Sequence, residues 1–226
     1  FSFEEHGINN NCESLLAGGL VFVDSWHPPI GAFAAADYFN ACVANNFGVP
    51  ENSLGTQSAA HGVAYAGIVA YDESDNDISK REFLRTELTL PLIEGETYCV
   101  SMQVSLAEDS QFAINNLGIY FSDEPVSESD IEGENGSFLN PQIQHPAFLT
   151  DTENWMEIQG TFKATAGLTH LAIGNFDPNN GSVLVNEDGN GQAYYYIDMI
   201  EIRPINEIEG FSVFNQDDEE LEVVGN

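Results

Sequence analysis

Residues 97–107 alternate apolar and polar side chains without a break. Tyr98, Val100, Met102, Val104 and Leu106 fall on one side, and Cys99, Ser101, Gln103 and Ser105 on the other. A period of two with one apolar face commits a segment to a half-buried strand, because successive strand side chains point to opposite faces. The pattern recurs. Leu84, Thr86, Leu88, Leu90 and Leu92 repeat it just upstream. The short Ile93-Glu94-Gly95-Glu96 between the two runs predicts a hairpin.

Further strands are predicted at 117–121, 156–162, 168–176 and 194–203, with weaker ones at 20–23 and 62–71. Helical signal is scarce, and 37–45 is the one stretch that fits a turn or two. The connectors are long. Residues 24–62 are rich in Pro, Ala, Asn and Gly, and 122–152 and 177–193 are acidic and rich in Asn and Gly. Long loops on a β scaffold are where function usually sits. About eight to ten strands with uneven loops give an all-β fold, a two-sheet antiparallel β-sandwich of the jelly-roll kind. No internal repeat is visible. The predicted domain runs over 1–204 and ends at Pro204. Residues 205–226 form an acidic tail around Phe211-Ser212-Val213-Phe214, read as a linker or a docking strand.

Charge narrows the partners. There are 37 Asp and Glu against 5 Lys and Arg, a formal net charge of -32, in a chain that is still 42% hydrophobic. That much apolar content separates it from a disordered acidic tail. Its surface repels nucleic acid and anionic lipid and attracts cations. No apolar run approaches the length of a membrane span. The chain opens on Phe1-Ser2-Phe3-Glu4 without a signal peptide, as expected if a leader was removed or the segment belongs to a longer protein. Cys12 and Cys42 lie in polar, loop-like surroundings, whereas Cys99 lies in a strand pattern. The expected pairing is Cys12 with Cys42, leaving Cys99 free, which fits an oxidising, extracytoplasmic setting. Three unpaired thiols in a reducing compartment are the alternative. No CxxC spacing marks a zinc or redox site.

The two ends carry a resemblance. Phe1-Ser2-Phe3-Glu4 resembles the "N-x-SFE" opening of carbohydrate-binding-module-like and galactose-binding-like jelly rolls, and 195–202 (YYIDMIEI) resembles their closing strand. Between them, 37–42 (DYFNAC), Val49-Pro50, Gly67, 81–84 (REFL), Pro91-Leu92, 104–107 (VSLA) and 173–176 (IGNF) are similar to segments of secreted Bacteroidota surface proteins. The resemblance covers residues 1 to about 203. The chain departs from it in lacking the "Val-x-Asn" expected before Phe1. The tail after Pro204 lies outside it, where such proteins continue into another domain or a type IX secretion signal. The resemblance implies a structural calcium between the first and last strands, with Glu4 and Asp198 at the matching positions. A hard cation held by carboxylate and carbonyl oxygens would clip the two ends together. The alternative is an exposed Glu4 and an Asp198 that bonds a turn.

Other constellations are weaker. The acidic run 72–77 lacks the Gly at position six and the Glu at position twelve of an EF-hand, where Asp77 and Phe83 stand. The loops at 177–181 and 187–191 offer oxygens but fit solvated turns equally well. Trp26, Tyr38, Tyr120 and Trp155 could stack on sugar rings or pack under loops. Trp155 shares the polar side of its strand with Glu157, Gln159, Thr161 and Lys163, so Trp155, Gln159 and Tyr120 are the candidate glycan contacts. His6, His27, His61, His145 and His170 show no HxxxH or HExxH spacing, and no GxSxG or phosphate loop is present. Among so many acids no glycosidase pair stands out. Asn135-Gly136-Ser137 and Asn180-Gly181-Ser182 match the glycosylation triplet.

These features predict a secreted or surface-displayed, calcium-stabilised, non-catalytic module that binds a glycan or surface polymer. The second expectation is a structural subunit of an extracellular filament or surface assembly, pairing with copies of itself through the tail after Pro204. A polysaccharide hydrolase is the third.

Overall fold

The computed structural model describes residues 3–4, 23, 25–31, 36–74, 80–132, 138–165, 167–178 and 181–205, together with the strand backbone at 213–214 and 220–221. Two five-stranded antiparallel sheets face each other. The first, sheet I, is built from β1 (Trp26–His27), β6 (Leu84–Glu87), β12 (His170–Asn175), β9 (Leu117–Ser122) and β10 (Ile143–Gln144), in that order. Sheet II runs β11 (Met156–Lys163), β7 (Thr97–Leu106), β14 (Gln192–Pro204), β5 (Ala64–Asp72) and β2 (Asp37–Asn40). Three short ribbons complete the strands: β3 (Glu51–Asn52) with β4 (Gly55–Thr56), β13 (Ser182–Leu184) with β8 (Phe112–Ile114), and β15 (Val213–Phe214) with β16 (Glu220–Leu221). Among the described residues the helix is α1 (Glu128–Glu132).

The expected all-β sandwich is thus what forms, and the alternations predict its faces. Tyr98, Val100, Met102, Val104 and Leu106 of β7 point inward against Leu84, Leu171, Ile173, Ile119 and Phe121 of sheet I. Two aromatics cross the layer with their polar ends satisfied, as burial demands. The Tyr195 hydroxyl donates to Leu149 O and accepts from Ile114 N. The Tyr38 hydroxyl donates to Phe3 O at 2.9 Å, and Phe3 packs on Trp26 with ring centroids 4.9 Å apart.

Two local expectations are corrected. The apolar runs around 84–92 and 97–107 do not form a hairpin, because β6 lies in sheet I and β7 in sheet II. Leu88 N and Leu92 N instead donate to Thr169 O and Leu168 O, and Gly95 N to Ala164 O, carrying the chain over the edge of the sandwich. The alternation stops at Glu87, and Leu90 is 77% exposed. The stretch 37–45 holds strand rather than helix. Asp37–Asn40 pairs antiparallel with Ala64–Gly67, turning Tyr38 into the core and Phe39 outward. In the tail Val213–Phe214 pairs with Glu220–Leu221. The weak strand at 20–23 lies outside the described residues except for Val23, which is buried.

Candidate functional site

The outer face of sheet I is open over β1 and β6, while the segment around α1 covers Ala172 of β12. Directly paired residues of antiparallel strands share a face. His27 pairs with Arg85, Arg85 with Ala172, and Ala172 with Tyr120, making one row across four strands. The next row runs from Glu87 through His170 to Ser122. On these rows lies a groove of about 630 Å³ lined by His27, Arg85, Glu87 and His170, with Ser25, Thr89 and Pro125 at its sides.

Two polar groups in the groove, Arg85 and His170, are held from behind. Arg85 Nε donates to Pro28 O at 2.7 Å, which fixes the guanidinium plane. Thr169 Oγ1 donates to Asp123 O, so its 2.8 Å bond with His170 Nδ1 needs the proton on the ring. Among the described residues Nε2 of His170, on β12, has no hydrogen-bond partner. The far side is walled by the segment around α1. Ile30 N donates to Val126 O and Glu128 N to Ile30 O, tying that segment to the chain leaving β1. Val126 and Ile131 pack on Phe83, Ala172 and Phe176, with Tyr120 against the same cluster. Pro125 lines both the groove and a smaller hollow of about 220 Å³ that includes Tyr120.

The outer side of sheet II is covered over β14, β5 and β2, while the polar side chains of β11 stay exposed. Phe39, Tyr65, Tyr194 and Tyr196 form an aromatic layer under the segment 41–63. Tyr196 donates to Asn52 Oδ1, Asn52 Nδ2 to the Tyr65 hydroxyl, and Tyr65 to Gln57 O. Trp155 belongs here. Its indole Nε1 donates to Ser58 O at 2.8 Å and its ring meets Tyr65 edge-on. Gln159 lies exposed on β11 beside Cys99. The structure therefore places Trp155 and Gln159 on sheet II and Tyr120 on sheet I, and does not bring the three together. At the edge of this face Asp37 and Glu82 form a half-buried carboxyl pair. Burial pushes Glu82 up to about 8, with the charge of Asp37 adding to the shift and the bond from Val69 N opposing it.

Glu4 and Asp198 lie near enough for the charge of one to act on the other. Asp198 is buried, accepting from His61 N at 2.9 Å and Met199 N at 2.7 Å. Both Glu4 carboxylate oxygens accept from Val63 N. Gly62, with φ +67°, leaves the room that Glu4 occupies, since a Cβ there would strike the carboxylate. Burial, helped by the charge of Glu4, pushes Asp198 up to about 6 against its backbone donors. A bulge between Asp198 and Glu201 and φ +53° at Met199 turn the strand at this point. Among the described residues no group of three or more His, Cys, Asp or Glu could hold a metal ion. Cys42 is disulfide-bonded and Cys99 is a free thiol, while Cys12, the expected partner of Cys42, lies outside the described residues.

Sequence reasoning missed His27, Arg85, Glu87 and His170 as a group. The available signal was alternation: Arg85 lies between inward Leu84 and Thr86, and His170 precedes inward Leu171.

No protein-family model and no curated protein matches this chain. Solved structures do. The xylan-binding domain CBM22-1 of Xyn10C from Paenibacillus barcinonensis is 17% identical over 90% of this chain and 91% of that one, with a TM-score of 0.47. The CBM22-1–GH10 modules of xylanase 10B from Clostridium thermocellum, solved with xylohexaose, are 15% identical over 85% of this chain and 27% of that one, at 0.40. The arabinose-bound α-L-arabinofuranosidase MgGH51 is 13% identical over 90% of this chain and 25% of that one, at 0.46.

Proposed function

We propose that this chain is a non-catalytic, extracellular carbohydrate-binding module whose ligand lies across the outer face of sheet I. The observation that carries the reading is the groove over β1, β6 and β12, where a guanidinium, two imidazoles and a carboxylate meet in an open channel. Sugars are recognised by such convergent donors and acceptors. The similar solved structures include a xylan-binding domain. Calorimetry with a panel of oligosaccharides, neutral and acidic, tests it. Saturable binding that a bulky Thr89→Trp at the side of the groove abolishes supports the reading, and no binding across the panel overturns it.

A structural calcium belongs to the same proposal. Glu4 and Asp198 supply hard oxygen donors, and no Lys or Arg is among the groups acting on Asp198. Two carboxylates give part of the about six to eight oxygens calcium takes, with backbone carbonyls and water completing the shell. Bound there, the ion would tie the first described residues to β14. The disulfide at Cys42 supports an oxidising, extracytoplasmic location.

A second reading, a subunit that assembles with copies of itself, draws on the surface beside Pro204. Leu90 and Ile93 are 77% and 65% exposed beside Pro204, around an apolar groove of about 370 Å³. Light scattering across a concentration series tests it. A monomer throughout overturns it.

A further inference from the structure

Arg85 is unusual among the few cations of this chain. Arg81 is buried, bonds to the Asn175 and Asp177 carbonyls and feels the charge of Asp177. Arg203 pairs with Glu201 and Lys80 bonds to Ser74 near Asp72. Lys163 lies exposed on the edge strand β11. Arg85 alone faces a groove. Its one hydrogen bond is to Pro28 O through Nε, and among the described residues no carboxylate pairs with it. Partial burial shifts it downward with no neighbouring charge to offset that. In a protein with 37 acidic residues, a guanidinium without a carboxylate is a specific placement.

We infer that the groove over β1, β6 and β12 takes an acidic sugar, with the carboxylate of a uronic acid residue on the free Nη edge of Arg85 and beside His27 and His170. This rests on the carbohydrate-binding reading of the same face. The chemistry is that of a fork. Nε is spent on Pro28 O, which locks the plane, and the two Nη groups remain to meet a planar carboxylate. His27 lies directly across the strand pair from Arg85, and His170 brings Nε2 from β12. An imidazole that takes up a proton adds a second charge-assisted donor. Glu87 is the single carboxylate among the groove's lining residues. It sits two residues along β6 from Arg85, where it can accept hydroxyl protons from an adjoining ring. The overall negative field opposes a long polyanion, so short acidic oligosaccharides are the suitable probes.

The test is calorimetry at fixed calcium with oligogalacturonate, oligomannuronate and a glucuronate-bearing xylo-oligosaccharide, each against its methyl ester. Esterification removes the charge and keeps the sugar. At least one acid should bind about tenfold or more tighter than its ester, and Arg85→Gln should erase that difference by bringing acid affinity down to the level of the ester. Arg85→Lys, which keeps the charge but not the fork, should fall between them and guards against a folding defect. Equal affinity for every acid and its ester, unchanged in Arg85→Gln, overturns the acidic ligand and leaves the module a binder of neutral sugar. No binding of any probe, acid or ester, overturns both readings.

Discussion

The Tyr194 hydroxyl donates to Asp37 Oδ2 at 2.8 Å, over a glycine, Gly67, where a Cβ would collide with the phenol. Beside it Glu82 accepts from Val69 N and returns a bond to Val69 O through its own backbone. Two carboxyls, one phenol and no described cation share this edge of sheet II. Burial raises Asp37 as well, opposed by the Tyr194 bond, so the cluster favours holding a proton.

That has a sign. A folded pKa of about 8 on Glu82, raised from 4.5, means the native state binds more protons between those values. The stability it contributes is complete below the unfolded value and is lost as pH rises through about 8. Melting temperature should fall between pH 5 and 9, and in Glu82→Gln that fall should shrink by roughly 5 °C. Parallel profiles for parent and variant would remove Glu82 as the cause.

Tyr195 bridges the layers through one oxygen that both donates to Leu149 O and accepts from Ile114 N. Tyr195→Phe leaves a buried N–H and a buried carbonyl short of a partner, a cost of about 1–3 kcal/mol per group. Urea denaturation should show a lower midpoint with an unchanged slope, because the surface exposed on unfolding is the same. An unshifted midpoint would mean that the two backbone groups find other partners.

The strands were legible where alternation was long. Thr97–Leu106 and Met156–Lys163 fall where the pattern puts them, since a one-residue slip would turn every apolar side chain to solvent. Alternation does not name a strand's partner, however, so the crossing between β6 and β7 was hidden behind an apparent hairpin turn. Leu88 and Leu92 continued the apolar rhythm but are held by single bonds, from Leu88 N to Thr169 O and from Leu92 N to Leu168 O, rather than by a ladder. The groove was hidden for a related reason. His27, Arg85 and His170 are far apart in sequence and meet through the order β1-β6-β12, which no local pattern encodes. Glu4 and Asp198 were singled out through a resemblance rather than a local pattern, and the backbone donors at His61 and Val63 come from a loop with no signature of its own.

Calcium should stabilise the protein through Glu4 and Asp198. At a free concentration about a hundredfold above the dissociation constant, binding contributes roughly 2.7 kcal/mol, or about 5–10 °C in melting temperature for a chain of this size. Asp198→Asn should remove that increment while keeping an acceptor for His61 N, and magnesium should substitute poorly because it demands a tighter octahedral shell. A calcium response equal in parent and Asp198→Asn would place the ion elsewhere.

Trp155 separates the two faces as binding sites. Its Nε1 is engaged by Ser58 O and its ring by Tyr65, so its side chain anchors the segment that closes sheet II. Trp155→Ala should cost roughly 2 kcal/mol, less than a fully buried tryptophan, and lower the melting temperature by about 4–8 °C. Sugar affinity, measured well below that temperature, should stay within about twofold, as for a site that shares no contact with the groove. Gln159→Ala should leave both quantities nearly unchanged, because that side chain is exposed on an edge strand. A tenfold loss of affinity in Trp155→Ala, with the fold intact by circular dichroism, would move the sugar to the face of sheet II and leave the Arg85 groove without a ligand.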